Sequence, residues 1–288
     1  MHASWEVEYG APREGAFNPG AYLSARQVRV EALLLAHLEG LSPSASPLVR
    51  RALCYSLLSE SQRRRAVLCL AVAEAVAGTR AYPRVVEDTV YALELLLTCS
   101  RVHEELRALD DGEAMAAEIG DALILEAFHV LSAGVEPVRA RLCRELAAGT
   151  GLMGTAGGQV ADLVKDSAAR RDYLRELNRM KSSGFIRASC RMGAIAAGAG
   201  EDVLARADTY GDAVGLAFLI GASQRTAAHT GRLTFAAVLS SSTSRTLAVR
   251  KVTEAIAAIQ PLEGSDGPLA GLARYALQWS SPDTERVQ

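Results

Sequence analysis

Apolar residues recur at helical spacing along most of the chain, and no stretch shows the alternation typical of a half-buried strand. In the first half, this spacing predicts helices over residues 21–38, 66–77 and 85–102. The third helix is apolar on most sides, which is typical of a helix in the interior of a bundle. The first half therefore already indicates a helical core.

The second half of the chain repeats this pattern, interrupted by glycine, proline and serine. The further predicted helices cover residues 119–131, 138–148, 159–164, 171–197, 203–220, 245–259 and 269–279, and the Ser/Thr cluster at 240–244 is predicted to be a loop. About ten helices with short connections predict an all-α bundle. We expect an irregular arm over residues 1–18, a single domain over 19–280 and a tail over 281–288.

Composition and charge exclude several classes of protein. The 288 residues hold 31 basic and 33 acidic side chains, and a net charge of −2 gives no general attraction to nucleic acid. A hydrophobic content of 49% is too high for a disordered chain, yet no apolar run approaches the roughly 20 residues of a membrane span. The five dispersed cysteines fit neither a disulfide framework nor a zinc site. We expect a cytoplasmic protein.

Six short motifs follow one another between residues 61 and 226. They are SQRRRA at 61–66, ELLLTCSRVHEELRALDD at 94–111, GDALI at 120–124, GGQVADL at 157–163, NRMKSSGFI at 178–186 and YGDAVGLAFLIGASQRT at 210–226. In this order they resemble the motifs of the trans-isoprenyl diphosphate synthases, also called polyprenyl synthetases. The resemblance extends from about residue 22 to about residue 237.

The resemblance implies an isoprenoid synthase-type bundle around a central cavity and a reaction that joins an allylic diphosphate to isopentenyl diphosphate. In such enzymes Mg²⁺, held by carboxylates from two facing helices, neutralises the leaving pyrophosphate. The resemblance also implies a prenyl diphosphate ligand. As partners it implies a second copy of the chain or, in a heterodimer, an active prenyl diphosphate synthase.

The first acidic motif is altered in this sequence. Glu104 and Glu105 stand where the family has two aspartates, and Asp110 follows, so the resemblance implies these three residues as Mg²⁺ ligands. The extra methylene of glutamate moves its oxygens by roughly 1.5 Å, which a small octahedral ion tolerates badly. A solvated acidic helix end explains the same residues, and both interpretations stay open.

The second acidic motif has lost its carboxylates. Its aspartate pair is Ala222-Ser223, and the later aspartate is Thr226. The isopentenyl diphosphate side is also changed, because Gln62 replaces the family lysine and Leu97 replaces a histidine one turn before the first acidic motif. Since metal electrostatics drive the ionisation of the allylic diphosphate, such losses predict an impaired elongating enzyme.

Arg101 introduces a charge where the family pattern has an apolar residue. A buried charge must pair or reach water. Glu94, Glu104 and Glu105 are the candidate partners along the same predicted helix.

The resemblance also implies roles for residues that survive. Lys181, Gln159 and Asp162 match family cleft positions and are the candidate catalytic residues, while Cys99 and Ser100 occupy positions that set product length. A surface lysine and a buried Gln–Asp hydrogen bond explain the first three as well. The candidate substrate-binding residues are Arg63, Arg65, Lys181, Ser182 and Arg232.

The motif residues that are lost and those that are retained leave three hypotheses. The first is a catalytically impaired partner subunit that modulates an active prenyl diphosphate synthase. The second is a noncanonical prenyltransferase or terpene synthase that acts on an allylic diphosphate, with metal held at the first acidic motif only. The third is an ordinary elongating synthase with eroded motifs, which the loss of the second carboxylate pair disfavours.

Overall fold

The computed structural model describes residues 17–40, 50, 54, 57–58, 63–77, 83–106, 113–134, 137–152, 154–157, 183–226 and 240–277. Within these ranges the chain forms nine helices and no strand, which confirms the predicted all-α class. The helices are α1 Pro19–Glu39, α2 Arg64–Ala77, α3 Arg84–Leu106, α4 Glu113–Ser132, α5 Pro137–Thr150, α6 Gly184–Ala196, α7 Glu201–Thr226, α8 Ser241–Glu263 and α9 Pro268–Tyr275. No helix in these ranges is both long and apolar enough to cross a membrane.

Helices α1 to α5 and α7 to α9 coincide with predicted helices, although α4 begins at Glu113 and α7 ends at Thr226, beyond their predicted bounds. Helix α6 covers the last part of the segment predicted at 171–197. The predicted helix at 159–164 and residues 171–182 lie outside the described residues.

The prediction of a loop at 240–244 was wrong. The hydroxyl of Ser240 accepts a hydrogen bond from the backbone N–H of Thr243 at 3.2 Å, and α8 begins at Ser241. A serine that caps a helix N-terminus satisfies an amide that has no partner within the helix. The Ser/Thr cluster therefore starts a helix rather than separating two.

Contacts within the chain group into two compact units. One consists of Leu23–Ala147 and Arg191–Gly200, and the other contains the described residues of Met1–Tyr22, Ala148–Cys190 and Glu201–Gln288. The single domain expected over residues 19–280 stays a prediction.

The core of the first unit is built around α3, whose apolar side chains are buried along nearly its whole length. The same is true of α2, where every residue from Ala66 to Glu74 is buried. Both helices are apolar on several sides, as their sequences predict for interior helices. The buried apolar residues of α3 are Val86, Val90, Tyr91, Ala92, Leu93, Leu95, Leu96, Cys99 and Val102.

Asp88 on α3 ties three helices of this unit together. Its carboxylate accepts hydrogen bonds from Arg139 of α5 at 2.7 Å and from Arg84 of α3 at 3.2 Å. Nε2 of His37, on α1, lies 3.6 Å from the carboxylate, while Nδ1 lies 3.0 Å from the carbonyl oxygen of Leu33. The two ring nitrogens therefore both face acceptors, which favours the doubly protonated imidazolium.

The second unit contains a close helix crossing between α6 and α7. A side chain at Gly215 would come within 2.8 Å of the Cα atom of Ser183, and one at Gly211 within 2.7 Å of the Cα atom of Arg187. The two glycines thus allow the backbones to approach, and Arg187 pairs with Asp208 at 2.8 Å beside them. This crossing fixes α7, which carries the second acidic motif.

We expect replacement of His37 by glutamine to remove a pH-dependent part of the stability. The neighbouring Asp88 carboxylate raises the pKa of His37 above its ordinary 6.5, so the stabilisation is complete below pH 6.5 and is lost as the pH rises through the raised value. Urea unfolding of both proteins between pH 5 and pH 9 measures this. The stability difference should be largest at the acidic end, and a pH-independent difference would contradict the ion pair.

Candidate functional site

The basic segment that the family pattern places at an isopentenyl diphosphate site leads into α2 through Arg63. The carbonyl oxygen of Arg63 accepts a hydrogen bond from the N–H of Val67 at 2.9 Å, so Arg63 precedes the first turn. Its φ of 48° is the only positive value of a non-glycine residue in the described ranges. Such a left-handed conformation costs about 1–2 kcal/mol for an L-residue and persists only where surrounding contacts impose it.

The side chain of Arg63 supplies those contacts. Its guanidinium donates from Nη1 to Oε2 of Glu94 on α3 at 2.7 Å and from Nη2 to the carbonyl oxygen of Leu57. The side chains of Arg63 and Glu94 are only 2% and 1% exposed. This buried ion pair joins the start of α2 to the middle of α3.

Glu94 is also within electrostatic range of two further arginines. Burial raises the pKa of Glu94, while Arg63, Arg65 and Arg101 each act to lower it. Burial lowers the pKa of Arg65, and the charge of Glu94 acts to raise it. The charges of three arginines therefore act on one buried carboxylate, and Arg63 forms the direct ion pair with it.

The partner of Arg101 among the three candidate glutamates stays a prediction, although the charge of Arg101 acts on Glu94. Glu94, Thr98 and Arg101 follow one another at helical spacing on α3, so they share a face of the helix. Burial decreases along this face from fully buried Glu94 and Thr98 to half-buried Arg101. Glu104 and Glu105 belong to the last turn of α3, but their side chains lie outside the described part.

The two candidate product-length residues lie on α3 before this turn. Cys99 is 5% exposed and its sulfur lies 3.9 Å from Nδ1 of His103, while the hydroxyl of Ser100 donates to the carbonyl oxygen of Leu96 at 3.2 Å. Burial raises the pKa of the Cys99 thiol to about 11, so the thiol is protonated at neutral pH. Cys99 is therefore a small buried residue rather than a nucleophile, and the product-length role of Cys99 and Ser100 stays a prediction.

His103 is held between α3 and α4. A side chain at Gly120 would overlap the imidazole ring of His103, because the ring packs directly on the glycine backbone. The GDALI motif of the sequence thus provides a glycine where α4 must leave room for the histidine that precedes Glu104.

The second acidic motif falls on the last turns of α7. Ala222, Ser223 and Thr226 are helical, and position 222 lies two turns beyond Gly215 on the same side of α7. An alanine methyl group offers no donor and a neutral hydroxyl is a weak substitute for a carboxylate. These residues do not fit a Mg²⁺ ion held from two facing helices, and no group of three acidic, histidine or cysteine side chains in the described ranges fits a metal ion.

Several candidate residues have no described position. Lys181, Gln159, Asp162, Ser182, Arg232 and Asp110 lie outside the described residues, so their roles stay predictions. The neighbour of this group, Ser183, donates from its hydroxyl to the Asp212 carboxylate on α7 at 3.3 Å. This hydrogen bond fixes the start of α6 on α7, and the candidate Lys181 lies two residues before Ser183 in the sequence.

Sequence reasoning identified Arg63 and Arg65 but not Glu94 as the partner of Arg63. The available signal was a glutamate within the apolar run Ala92–Leu97 of a helix that is apolar on most sides. Such a carboxylate requires a buried cation. The basic motif SQRRRA at 61–66 was the candidate source of that cation.

We expect Arg63→Met and Glu94→Leu each to lower the free energy of unfolding by about 3–5 kcal/mol, because each leaves the other charge buried without its partner. The double variant should lose less than either single variant, since it buries no orphaned charge. A urea double-mutant cycle measures the coupling. Additive losses would contradict a direct ion pair.

The family model named Polyprenyl synthetase matches residues 46–221. A dimethylallyltranstransferase of Fischerella ambigua is 30% identical over 92% of this chain and 84% of its own length. The large subunit 1 of a heterodimeric chloroplastic geranylgeranyl pyrophosphate synthase of Arabidopsis thaliana is 31% identical over 64% of this chain and 55% of its own length.

A solved structure carries the same fold. The crystal structure of a putative farnesyl-diphosphate synthase from Marinomonas sp. MED121 matches with a TM-score of 0.79 and 29% identity, covering 91% of this chain and 99% of that one. The matched model spans more than half of the sequence and includes the α2 basic segment, the α3 acidic motif and most of α7. The chain therefore belongs to the polyprenyl synthetase family of isoprenoid biosynthesis.

Proposed function

We propose that this chain is a catalytically impaired partner subunit that modulates an active prenyl diphosphate synthase. The observation that carries the proposal is the pattern of residues on α7, where Ala222, Ser223 and Thr226 replace the carboxylates of the second acidic motif. Ionisation of an allylic diphosphate needs its charge neutralised, and residues 222–226 of this helix provide no carboxylate that could hold a metal ion for doing so. The helical packing around α7 is nonetheless retained.

Retention of the fold supports a role in association. Helix α4 buries Leu123, Ala127 and Leu131 against its own unit, yet it also leaves Leu125 with 71% of its surface exposed. Phe128 is half-buried one turn further along the side of Leu125. An apolar strip on the outside of a helix is a candidate contact for another chain.

Helix α3 offers no comparable contact, because its apolar residues between Val86 and Val102 are buried within the chain. The heterodimer named for the Arabidopsis relative supports pairing of unequal chains in this family. The same apolar strip on α4 would also serve as the contact in a homodimer of this chain, which is the competing assembly.

A second candidate function is favoured by the acidic end of α3. Glu104 and Glu105 remain in the last turn of that helix, so a noncanonical prenyltransferase or terpene synthase would hold Mg²⁺ at this motif only. One observable separates such an enzyme from an impaired partner subunit. The enzyme on its own would release pyrophosphate from an allylic diphosphate, and the partner subunit would not. A cytoplasmic location is part of both proposals.

We expect the protein to copurify with an intact prenyl diphosphate synthase of the same organism and to change its product length or yield. Leu125→Glu should abolish copurification, because a charge in the apolar strip cannot be desolvated. Leu152→Glu is the matched control, since Leu152 is 85% exposed outside the nine helices.

Size-exclusion chromatography with light scattering and product analysis of the mixed proteins reads out both effects. Identical products with and without this chain would contradict a modulating role. Equal copurification of the Leu125→Glu and Leu152→Glu variants would exclude the strip on α4 as the contact.

A further inference from the structure

The outer face of α1 is unusual for a surface helix, because apolar residues occupy most of its exposed positions. Ala25, Val28, Ala32 and Leu35 are all exposed, and the two larger side chains expose 66% (Val28) and 46% (Leu35) of their surface. A surface helix ordinarily carries charged and polar residues on the side away from the core. We call these four residues the α1 strip.

The residues of the α1 strip follow one another at alternating steps of three and four along the helix. This is the seven-residue repeat by which two helices pack side by side, with positions 25 and 32 in one row and positions 28 and 35 in the other. Alanines in one row let two helix axes approach closely, and the valine and leucine of the other row fill the space between them. The strip therefore has the spacing and the side-chain sizes of a surface for pairing with another helix.

The opposite side of α1 fastens the helix to the first unit. Arg26 pairs with Glu74 of α2 at 3.0 Å, and Arg29 lies 3.8 Å from Glu87 of α3. The buried apolar residues of α1 in this unit are Val30, Leu34 and Leu38. Because these contacts hold the helix in place, the α1 strip is presented in a fixed orientation, which lowers the entropy lost on binding.

We propose that the α1 strip pairs with the α1 strip of a second copy of this chain, with the two helices parallel. Arg29 borders the strip on the side of the alanine row, and Glu31 borders it on the side of Val28. The side chain of Arg29 is 42% exposed and Glu31 is partly exposed, so both lie at the edge of the contact.

The charges of these two residues select the orientation. In a parallel pair related by a two-fold axis, Arg29 of each copy lies on the same side of the contact as Glu31 of the other copy. An antiparallel pair would instead place Arg29 beside Arg29 and Glu31 beside Glu31. Opposite charges therefore meet only in the parallel pair.

This pairing goes beyond the proposed function, because it requires no synthase and does not use α4. If the strip on α4 holds an intact synthase, two such heterodimers join through α1 into an assembly with two copies of each chain. A contact of one helix pair is at the small end of specific interfaces, which bury about 800 Å² per partner. We therefore expect the pairing to weaken on dilution.

Sedimentation velocity of the full chain tests the pairing in a Leu125→Glu background, which removes the contact on α4. We expect this protein to sediment at twice its chain mass of 30.5 kDa and to dissociate on dilution. Adding Val28→Glu or Leu35→Glu should raise the dissociation constant about tenfold or more, because a carboxylate in the contact loses its water without gaining a partner. Leu152→Glu in the same background is the matched control and should stay dimeric, since Leu152 is 85% exposed outside the nine helices.

Two further variants test the orientation. Arg29→Glu should weaken the dimer, and Arg29→Glu combined with Glu31→Arg should restore it, because the exchange recreates opposite charges across a parallel pair. Val28→Cys should form a disulfide-linked dimer under mild oxidation, since position 28 meets position 28 of the other copy in a parallel pair. The unchanged chain, whose own cysteines are free, gives the background of this reaction.

Each of three results would overturn the proposal: a Leu125→Glu protein that is monomeric at every concentration, equal dissociation constants with Val28→Glu and with Leu152→Glu, or no restored dimer after the charge exchange. A monomeric chain that loses copurification with the synthase through Val28→Glu would assign the α1 strip to the synthase instead. A lowered melting temperature of Val28→Glu with unchanged mass would assign the strip to a contact within the chain. Products of the synthase mixed with the Val28→Glu protein test the modulating role separately, so the two proposals fail independently.

Discussion

Two carboxylates buried on α3 must each be paired with a cation, and this constraint determines how the helices of the first unit meet. Asp88 receives Arg139 from α5 and faces His37 from α1, while Glu94 receives Arg63 from the start of α2. A buried charge without a partner costs several kcal/mol, so these pairs select one arrangement among many apolar packings. The apolar surface of α3 supplies the driving force, and its carboxylates supply the specificity.

The same constraint shapes the candidate site. Glu94 holds Arg63 in a left-handed conformation directly before α2, and Arg65 lies in the first turn of that helix. Arg101 adds a further charge on the face of α3 that contains Glu94. In the first unit the charges of Arg63, Arg65 and Arg101 therefore act on one buried carboxylate, whereas α7 in the second unit has lost the carboxylates of its acidic motif. The family fold persists in this chain with an altered balance of charge.

Periodicity was sufficient for the helices that the structure describes, because eight of these nine run for 13 residues or more and show an apolar pattern. It failed at Ser240, where the same Ser/Thr composition is compatible with a loop and with a helix cap. Contacts across long sequence separations, such as Arg139 with Asp88, left no local signal, and the partner of Arg101 among its three candidates stays a prediction. The altered acidic motifs were evident from the sequence, since residue identity alone decides whether a carboxylate is present.

In the proposed function, residues 222–226 of α7 deprive this chain of the metal-assisted ionisation of an allylic diphosphate. Pyrophosphate release from geranyl diphosphate by the purified protein alone, followed over a titration of Mg²⁺, tests this loss. We expect no release above the uncatalysed rate at any Mg²⁺ concentration, with or without isopentenyl diphosphate. Release that rises with Mg²⁺ and disappears in a Glu104→Gln, Glu105→Gln variant would contradict it.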